Sequence, residues 1–513
     1  MKHFLLILSA LALVACQSKS RFEQLLSRTD QFDIAIINGT VYDGLGQAGY
    51  QADLLIKDSV IAFIGDIDTA KIRYSKLLDA KGKVVSPGFI DLHVHGNPLS
   101  TASFQNFPAM GVTTIVLGQD GSHPGSSGLP AYINSMETAE LEMNVALFAG
   151  HGSLRREAEI ANEGTPSADQ LNKMNTLLQA AFGAGAFGLS TGLEYVPGMY
   201  AQKDELTGLA KTVSANNGVL MSHVRNEDDD KVEASLQELF DLGEFCDVHI
   251  SHIKVVYGKG EARGEEILEL IDKQKQAGTN ITADVYPYTA SYTGIGILFP
   301  SWCKTNDQFQ QVLKTRKKEL ETYLEARVIK RNGPEATLFG SGKYAGKTLA
   351  QIAKEEQRTY VDVLMDIGPQ GASGAYFIMD EALQDVFITS PDISIASDGS
   401  PTMLHPRGHS TQARIIEKYV IAQKSLSLEE AIYKMSGLPA KTIGLTNRGV
   451  LKEGNKADVL IFNPDNIHET ATYSNPHQLA KGFDEVIING KLVRENGESS
   501  HINSGKLLKK KRN

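Results

Sequence analysis

The sequence predicts an α/β chain: a (β/α)8 TIM-like barrel, a small β-sandwich domain built from both termini, and an insertion between barrel strands seven and eight. Three observations predict it. Eight brief apolar runs, each ending in a polar residue, alternate with helix-like stretches through the middle of the chain, the pattern of a parallel sheet covered on both faces. Short strand-like runs of a different style flank that middle at both ends. The polar residues fall at the C-terminal ends of the central runs, the rim where such a barrel places its chemistry.

At 513 residues the chain is too long for a minimal binding module. Lys and Arg total 51 against 61 Asp and Glu, a formal charge of −10, with 42% apolar residues. A net-negative chain with one Trp and no basic-aromatic interleaving gives no footing for nucleic acid. Three cysteines, Cys16, Cys246 and Cys303, allow at most one bridge.

In chain order, Lys2 and His3 precede a mostly apolar run, Phe4 to Ala15, which is shorter than the ~20 residues of a spanning helix. Residues 1–16 therefore read as a signal peptide. Its end, Leu13-Val14-Ala15-Cys16, resembles the lipobox of bacterial lipoproteins. That resemblance implies a lipid on Cys16 and membrane anchoring in the cell envelope, with Gln17 pointing to the outer membrane and the periplasm. An ordinary secretory signal with an incidental cysteine is the alternative. Residues 17–31 form a polar tether. Residues 32–84 supply the N-terminal part of the β-sandwich, with runs at Asp33–Gly39, Ala52–Lys57 and Val60–Gly65. Residues 446–500 supply the C-terminal part, with runs at Ala457–Phe462 and Glu485–Gly490; residues 501–513 are expected as a solvated basic tail.

The barrel is expected over 85–445. Its runs are Val85–His95, Thr113–Asp120, Val145–His151, Ala186–Thr191, Val219–His223, Val248–His252, Ile281–Tyr286 and Ile393–Asp398. Between the seventh and eighth lie about a hundred residues, read as an inserted subdomain or lid over 300–390. Ser427 to Glu430 form a capping box for a closing helix.

His93 and His95 are two apart on a strand, so both imidazoles face the barrel mouth. Alone, the pair fits satisfied core residues as well as metal ligands. His223, His252 and Asp398 close three further runs, and together the five suit a divalent-metal hydrolase. His249, an odd number of positions from His252, is left out.

Pro87-Gly88-Phe89-Ile90-Asp91-Leu92-His93-Val94-His95 resembles the first-strand signature of the amidohydrolase superfamily. Further stretches are similar to its N-acyl-D-amino-acid deacylases (D-aminoacylases): Gly150–Arg155, Gly188–Tyr195 with Pro197-Gly198, Ser222–Glu227, Ser251–Lys254, Asp284–Tyr288, Ala396–Gly399 and His405–Arg407. The resemblance covers Phe32 to Arg494. It implies that His223 and His252 hold the tighter zinc and His93 and His95 a second, weaker one. It makes Asp398 the catalytic base and a metal ligand, and Tyr195 the donor toward the substrate carbonyl. Arg407, Tyr286 and Ser291 would hold the substrate carboxylate, with Lys254 near the substrate side chain and His151 also touching substrate; shaping the loop is the alternative for His151 and Arg155. Packed rim aromatics remain the alternative for Tyr195 and Tyr286, and a local ion pair for Arg407.

One departure stands out. Where the deacylases carry a bridging cysteine, this chain has Gly118-Gln119-Asp120-Gly121. Asp120 offers a harder donor, so Mn or Co would be better tolerated beside Zn, and the count of one or two ions stays open; a plain Asp-Gly turn is the other reading. The implied reaction is amide hydrolysis of an N-acyl-D-amino acid, a small-molecule substrate. A dipeptidase releasing a C-terminal D-amino acid and a cyclic-amide hydrolase are the alternatives. The fourth run ends Ser190-Thr191 without the lysine that hydantoinases carbamylate.

Overall fold

The computed structural model describes residues 20–100 and 102–511. The leader and Cys16 lie outside the described residues.

Eight parallel strands follow one another round the barrel: Phe89–Asp91, Val112–Leu117, Asn144–Gly150, Gly188–Gly192, Val219–His223, Asp247–Ile250, Ile281–Val285 and Ile393–Ile395. The seam between the last and the first is held by single contacts. His95 N–H donates to Gly399 O at 2.8 Å, and Ser397 N–H donates to the Asp91 carboxylate at 3.0 Å. Nearly every strand residue is buried, as expected when helices cover the outside and side chains fill the inside. Some of the helices start where a polar side chain satisfies free N–H groups. Ser167 and Gln170 form a capping box for Ala168–Ala184, which Gly185 ends in left-handed conformation.

The β domain does draw on both termini, and its strands hydrogen-bond as one nine-stranded sheet. The halves meet at Val84–Pro87, which pairs with Gln31–Val41 on one side and Val459–Phe462 on the other. Ile34, Ile36, Leu54, Ile56, Val459, Ile461 and Ile487 share its core. Val84–Pro87 thus belongs to this domain, and the barrel begins after Gly88, not at residue 85. The expected tether is also partly folded: Ser20 caps the helix Arg21–Leu26, whose Phe22 packs on Phe63 with ring centroids 5.5 Å apart.

The insertion has its own three-stranded sheet, Ala290–Gly294, Thr337–Phe339 and Ser373–Phe377, and its own apolar core. It therefore starts earlier and ends sooner than 300–390. The helix Glu381–Thr389 belongs to the barrel, burying Leu383, Phe387 and Ile388 in the barrel core.

The basic tail is not a free arm: its lysines stay largely exposed, but its backbone is paired to the barrel. Gly505 N–H donates to Leu141 O at 2.8 Å, Val145 N–H to Lys506 O at 3.0 Å and Leu508 N–H to Val145 O at 2.7 Å. The tail lies against the N-terminal end of the third barrel strand, opposite the mouth. Cys246 and Cys303 are both free and buried, in the barrel core and the insertion core respectively.

Candidate metal centre

Ligand-type atoms converge at the C-terminal mouth as the sequence predicts. His93 and His95 leave the first strand side by side, rings 5.1 Å apart; His93 and His252 rings are 4.7 Å apart, as are those of His223 and His252. Asp120 sits between them. One of its oxygens is 3.4 Å from His93 Nε2 and 3.5 Å from His252 Nε2, and the other is 3.5 Å from His95 Nε2. Asp398 Oδ1 faces His95 Nε2 at 3.1 Å and His93 Nε2 at 3.6 Å.

Three donor sets result, each with its atoms within 4.8 Å of one another: Asp120, His223 and His252; His93, His95, Asp120 and Asp398; and Glu194, His223 and Glu227. Asp120 is common to the first two. The set fits divalent cations chemically, combining imidazole nitrogens with carboxylate oxygens. Both ring nitrogens of His93 and Oδ1 of Asp120 are buried without hydrogen-bond partners, a costly state that a coordinated ion relieves.

The backbone is bent to make this arrangement. Asp120, His252 and Asp398 all adopt left-handed φ, at 51°, 36° and 48°, a strained choice that clusters at functional sites. Ahead of Asp120, Gly118 has φ of 88°, and a Cβ there would lie 2.2 Å from Phe148 O. Only glycine allows the turn to pass so close to the third strand.

Electrostatics follow the geometry. Burial opposes ionisation of Asp120, yet the surrounding imidazoles hold its carboxyl well below the usual range. Asp398 is likewise held low against burial, chiefly by Arg407, whose Nη2 is 2.8 Å from Oδ2. Burial and the nearby acids Asp120, Glu227 and Glu194 push the Tyr195 phenol up, so it remains a protonated donor; its hydroxyl is 3.4 Å from His223 Nδ1.

Arg407 and Tyr286 are buried at the same mouth, the guanidinium 4.7 Å above the Tyr286 ring. Nε and Nη1 of Arg407 and the Tyr286 hydroxyl have no partner, leaving donors free for an anion. Arg407 does pair locally with Asp398, but that contact uses only Nη2. Ser291 borders the same recess. Lys254 also lines it, although its ammonium is engaged by Glu227 at 2.6 Å and His252 Nδ1 at 2.7 Å. A larger cleft of about 400 Å³ opens beside the ligands, bordered by Asp120, Tyr195, Pro197 and Met403.

His151 is not part of this wall. A short helix begins at His151, and its imidazole turns inward to Glu205 at 2.8 Å, with Arg155 on the same carboxylate at 2.6 Å. The three form a buried support, and the substrate role expected for His151 is not what its packing offers.

Two acids in this layer escaped the sequence reading. Glu194 accepts from His223 Nε2 at 3.1 Å, which leaves Nδ1 facing the ligand cluster, the usual way a carboxylate orients a metal-binding imidazole. Asp284 accepts the His252 backbone N–H at 2.7 Å and pairs with His249 at 2.7 Å. Both lie within stretches already singled out, Gly188–Tyr195 and Asp284–Tyr288, but their roles depend on cross-strand contacts.

An eight-stranded parallel barrel with histidines and two carboxylates at its C-terminal mouth defines a metal-dependent hydrolase of the amidohydrolase class. Comparison with known proteins narrows this. Residues 392–494 match the model of an amidohydrolase family. The chain is 31% identical to the N-acyl-D-glutamate deacylase of Alcaligenes xylosoxydans xylosoxydans, covering 94% of this chain and 97% of that one. It is 29% identical to the D-aminoacylase of the same organism, covering 94% and 98%. The solved N-acyl-D-glutamate deacylase from Bordetella bronchiseptica, complexed with zinc and a phosphonate inhibitor, superposes with a TM-score of 0.81 at 29% identity over 93% of this chain and 100% of that one. The chain belongs to the N-acyl-D-amino-acid deacylase (D-aminoacylase) family of amidohydrolases.

Proposed function

We propose that this protein hydrolyses the amide bond of N-acyl-D-amino acids with the help of zinc, giving a carboxylic acid and a free D-amino acid. One observation carries the reading: the ligand cluster and the unpartnered donors of Arg407 and Tyr286 share one mouth, so a carbonyl and a carboxylate of the same small molecule can be held together.

Asp120, His223 and His252 would hold one ion, and His93 and His95 with Asp120 and Asp398 a second. Bound there, zinc supplies Lewis acidity, which acidifies water and polarises a carbonyl. Asp398, ionised in this setting, accepts the proton of the attacking water and passes it to the leaving amine nitrogen. The Tyr195 hydroxyl donates to the carbonyl oxygen as negative charge develops on it. Arg407, Tyr286 and Ser291 grip the α-carboxylate, fixing the amide against Asp398. The resemblance of Leu13-Val14-Ala15-Cys16 to a lipobox supports a lipid-anchored protein in the cell envelope.

The test is a panel of N-acetyl D- and L-amino acids on zinc-reconstituted protein, with metal stoichiometry measured on the same sample. Turnover confined to D-substrates is expected. Turnover of L-substrates alone, or of cyclic amides alone, overturns the proposal.

A further inference from the structure

His249 sits inside the barrel, where the alternation of its strand puts it. Its neighbours Val248 and Ile250 pack outward with Leu239 and Ile267 of the surrounding helices. On the next strand Ile281, Ala283 and Val285 pack the same way, which turns Thr282 and Asp284 inward, and the register pairs His249 with Thr282.

The buried imidazole uses both nitrogens. Nδ1 lies 2.8 Å from Thr282 Oγ1 and Nε2 lies 2.7 Å from Asp284 Oδ2. The carboxylate can only accept, so Nε2–H donates to it and the Thr282 hydroxyl donates to Nδ1. The other oxygen of Asp284 accepts the backbone N–H of His252 at 2.7 Å. Among the described residues no other side chain donates to Asp284, and a buried acid is costly unless both oxygens are satisfied.

His252 is where the chain turns. Its φ of 36° is left-handed, a strained angle for a residue with a Cβ. The turn brings its ring within 4.7 Å of the rings of His93 and His223. The N–H at the strained residue is the one that Asp284 holds, so His249 reaches the ligand cluster only through that carboxylate. It borders neither cavity at the mouth.

Resting on the metal-centre reading, we infer that His249 is a positioning residue for the ion held by Asp120, His223 and His252. Through Asp284 it fixes the turn at His252 and so the aim of that imidazole, while touching neither ion nor substrate.

The experiment compares wild type with His249→Phe, which fills the space without a donor, and His249→Gln, which keeps one. Zinc affinity is measured by chelator competition, and hydrogen–deuterium exchange of the metal-free proteins follows the His252 amide. In His249→Phe one ion should bind about 10- to 100-fold more weakly, the usual effect of losing a group that orients a metal ligand, with the other little changed, because His252 is absent from the set of His93, His95, Asp120 and Asp398. The His252 amide should exchange about 10- to 100-fold faster, the worth of one charged hydrogen bond. His249→Gln should recover most of both. Unchanged affinities, or two ions weakened equally, overturn the assignment. If wild type takes up no zinc, the metal-centre reading fails by itself and exchange decides: a faster His252 amide in His249→Phe upholds the relay, and an unchanged one refutes it. Should His249→Phe not fold, Thr282→Val removes only the hydroxyl that serves Nδ1, and it must move affinity and exchange in the same directions for the assignment to stand.

Discussion

Replacing Asp398 by asparagine separates its two expected roles. The substitution keeps the shape and one oxygen acceptor but removes the charge and the proton affinity. A positioned general base contributes roughly 10²–10⁴ in rate, and the same carboxylate is expected to return the proton to the amine, so kcat should fall toward the upper end of that range. Metal binding should largely survive, because the set of Asp120, His223 and His252 does not include residue 398; only the second set loses one of its four members. Arg407 Nη2 would lose its ionic partner at 2.8 Å, which costs about 1–3 kcal/mol for a buried charged hydrogen bond. A modest fall in Tm should therefore accompany the lost turnover. The assay is steady-state kinetics on N-acetyl-D-glutamate together with elemental analysis and thermal melting of one preparation. A kcat within tenfold of wild type would remove Asp398 from the proton path, and protein emptied of all metal would refute the division of ligands drawn above.

Two further outcomes are expected. Asp120→Cys puts a softer donor between the imidazoles, so competition experiments should show zinc preferred over manganese by at least about tenfold more than in wild type; an unaltered preference would mean that Asp120 does not bind the ion. Gly505→Ala should destabilise the fold by roughly 2–4 kcal/mol, the worth of several backbone hydrogen bonds, because the new Cβ would lie 2.1 Å from Met143 O and the tail must lift off the third strand. Since the tail sits at the end of the barrel opposite the metals, kcat/KM should not change, and a wild-type Tm would show that the tail contributes nothing.

The candidate ligands were legible in the sequence because each ends a strand, and in a parallel barrel strand ends converge whatever the loops do. His93, His95, His223, His252 and Asp398 needed only that rule, and Asp120 needed the likeness of its turn to a cysteine-bearing one. The resemblance offered His151 a substrate role that its packing does not bear out. His151 also ends a strand, but a helix begins at that residue and the first helical turn swings the ring toward Glu205. The boundary at Pro87-Gly88 was hidden because Val84–Pro87 and Phe89–Asp91 form one apolar run. Periodicity cannot tell which of two sheets a strand joins.

What the sequence could not show is partnership across strands and domains. Glu194 is one residue from Tyr195, yet its use depends on His223 lying opposite on the neighbouring strand. Lys506 to Lys510 look like a solvated charge run, and only the fold reveals Leu507 and Leu508 laid along Val145. The same logic makes Asp120 the most consequential position in the chain. A turn residue by composition, it becomes the acid shared by two donor sets because three imidazoles, two following the first barrel strand and one following the sixth, lie within 3.5 Å of its oxygens. Any change there must alter both metal positions at once.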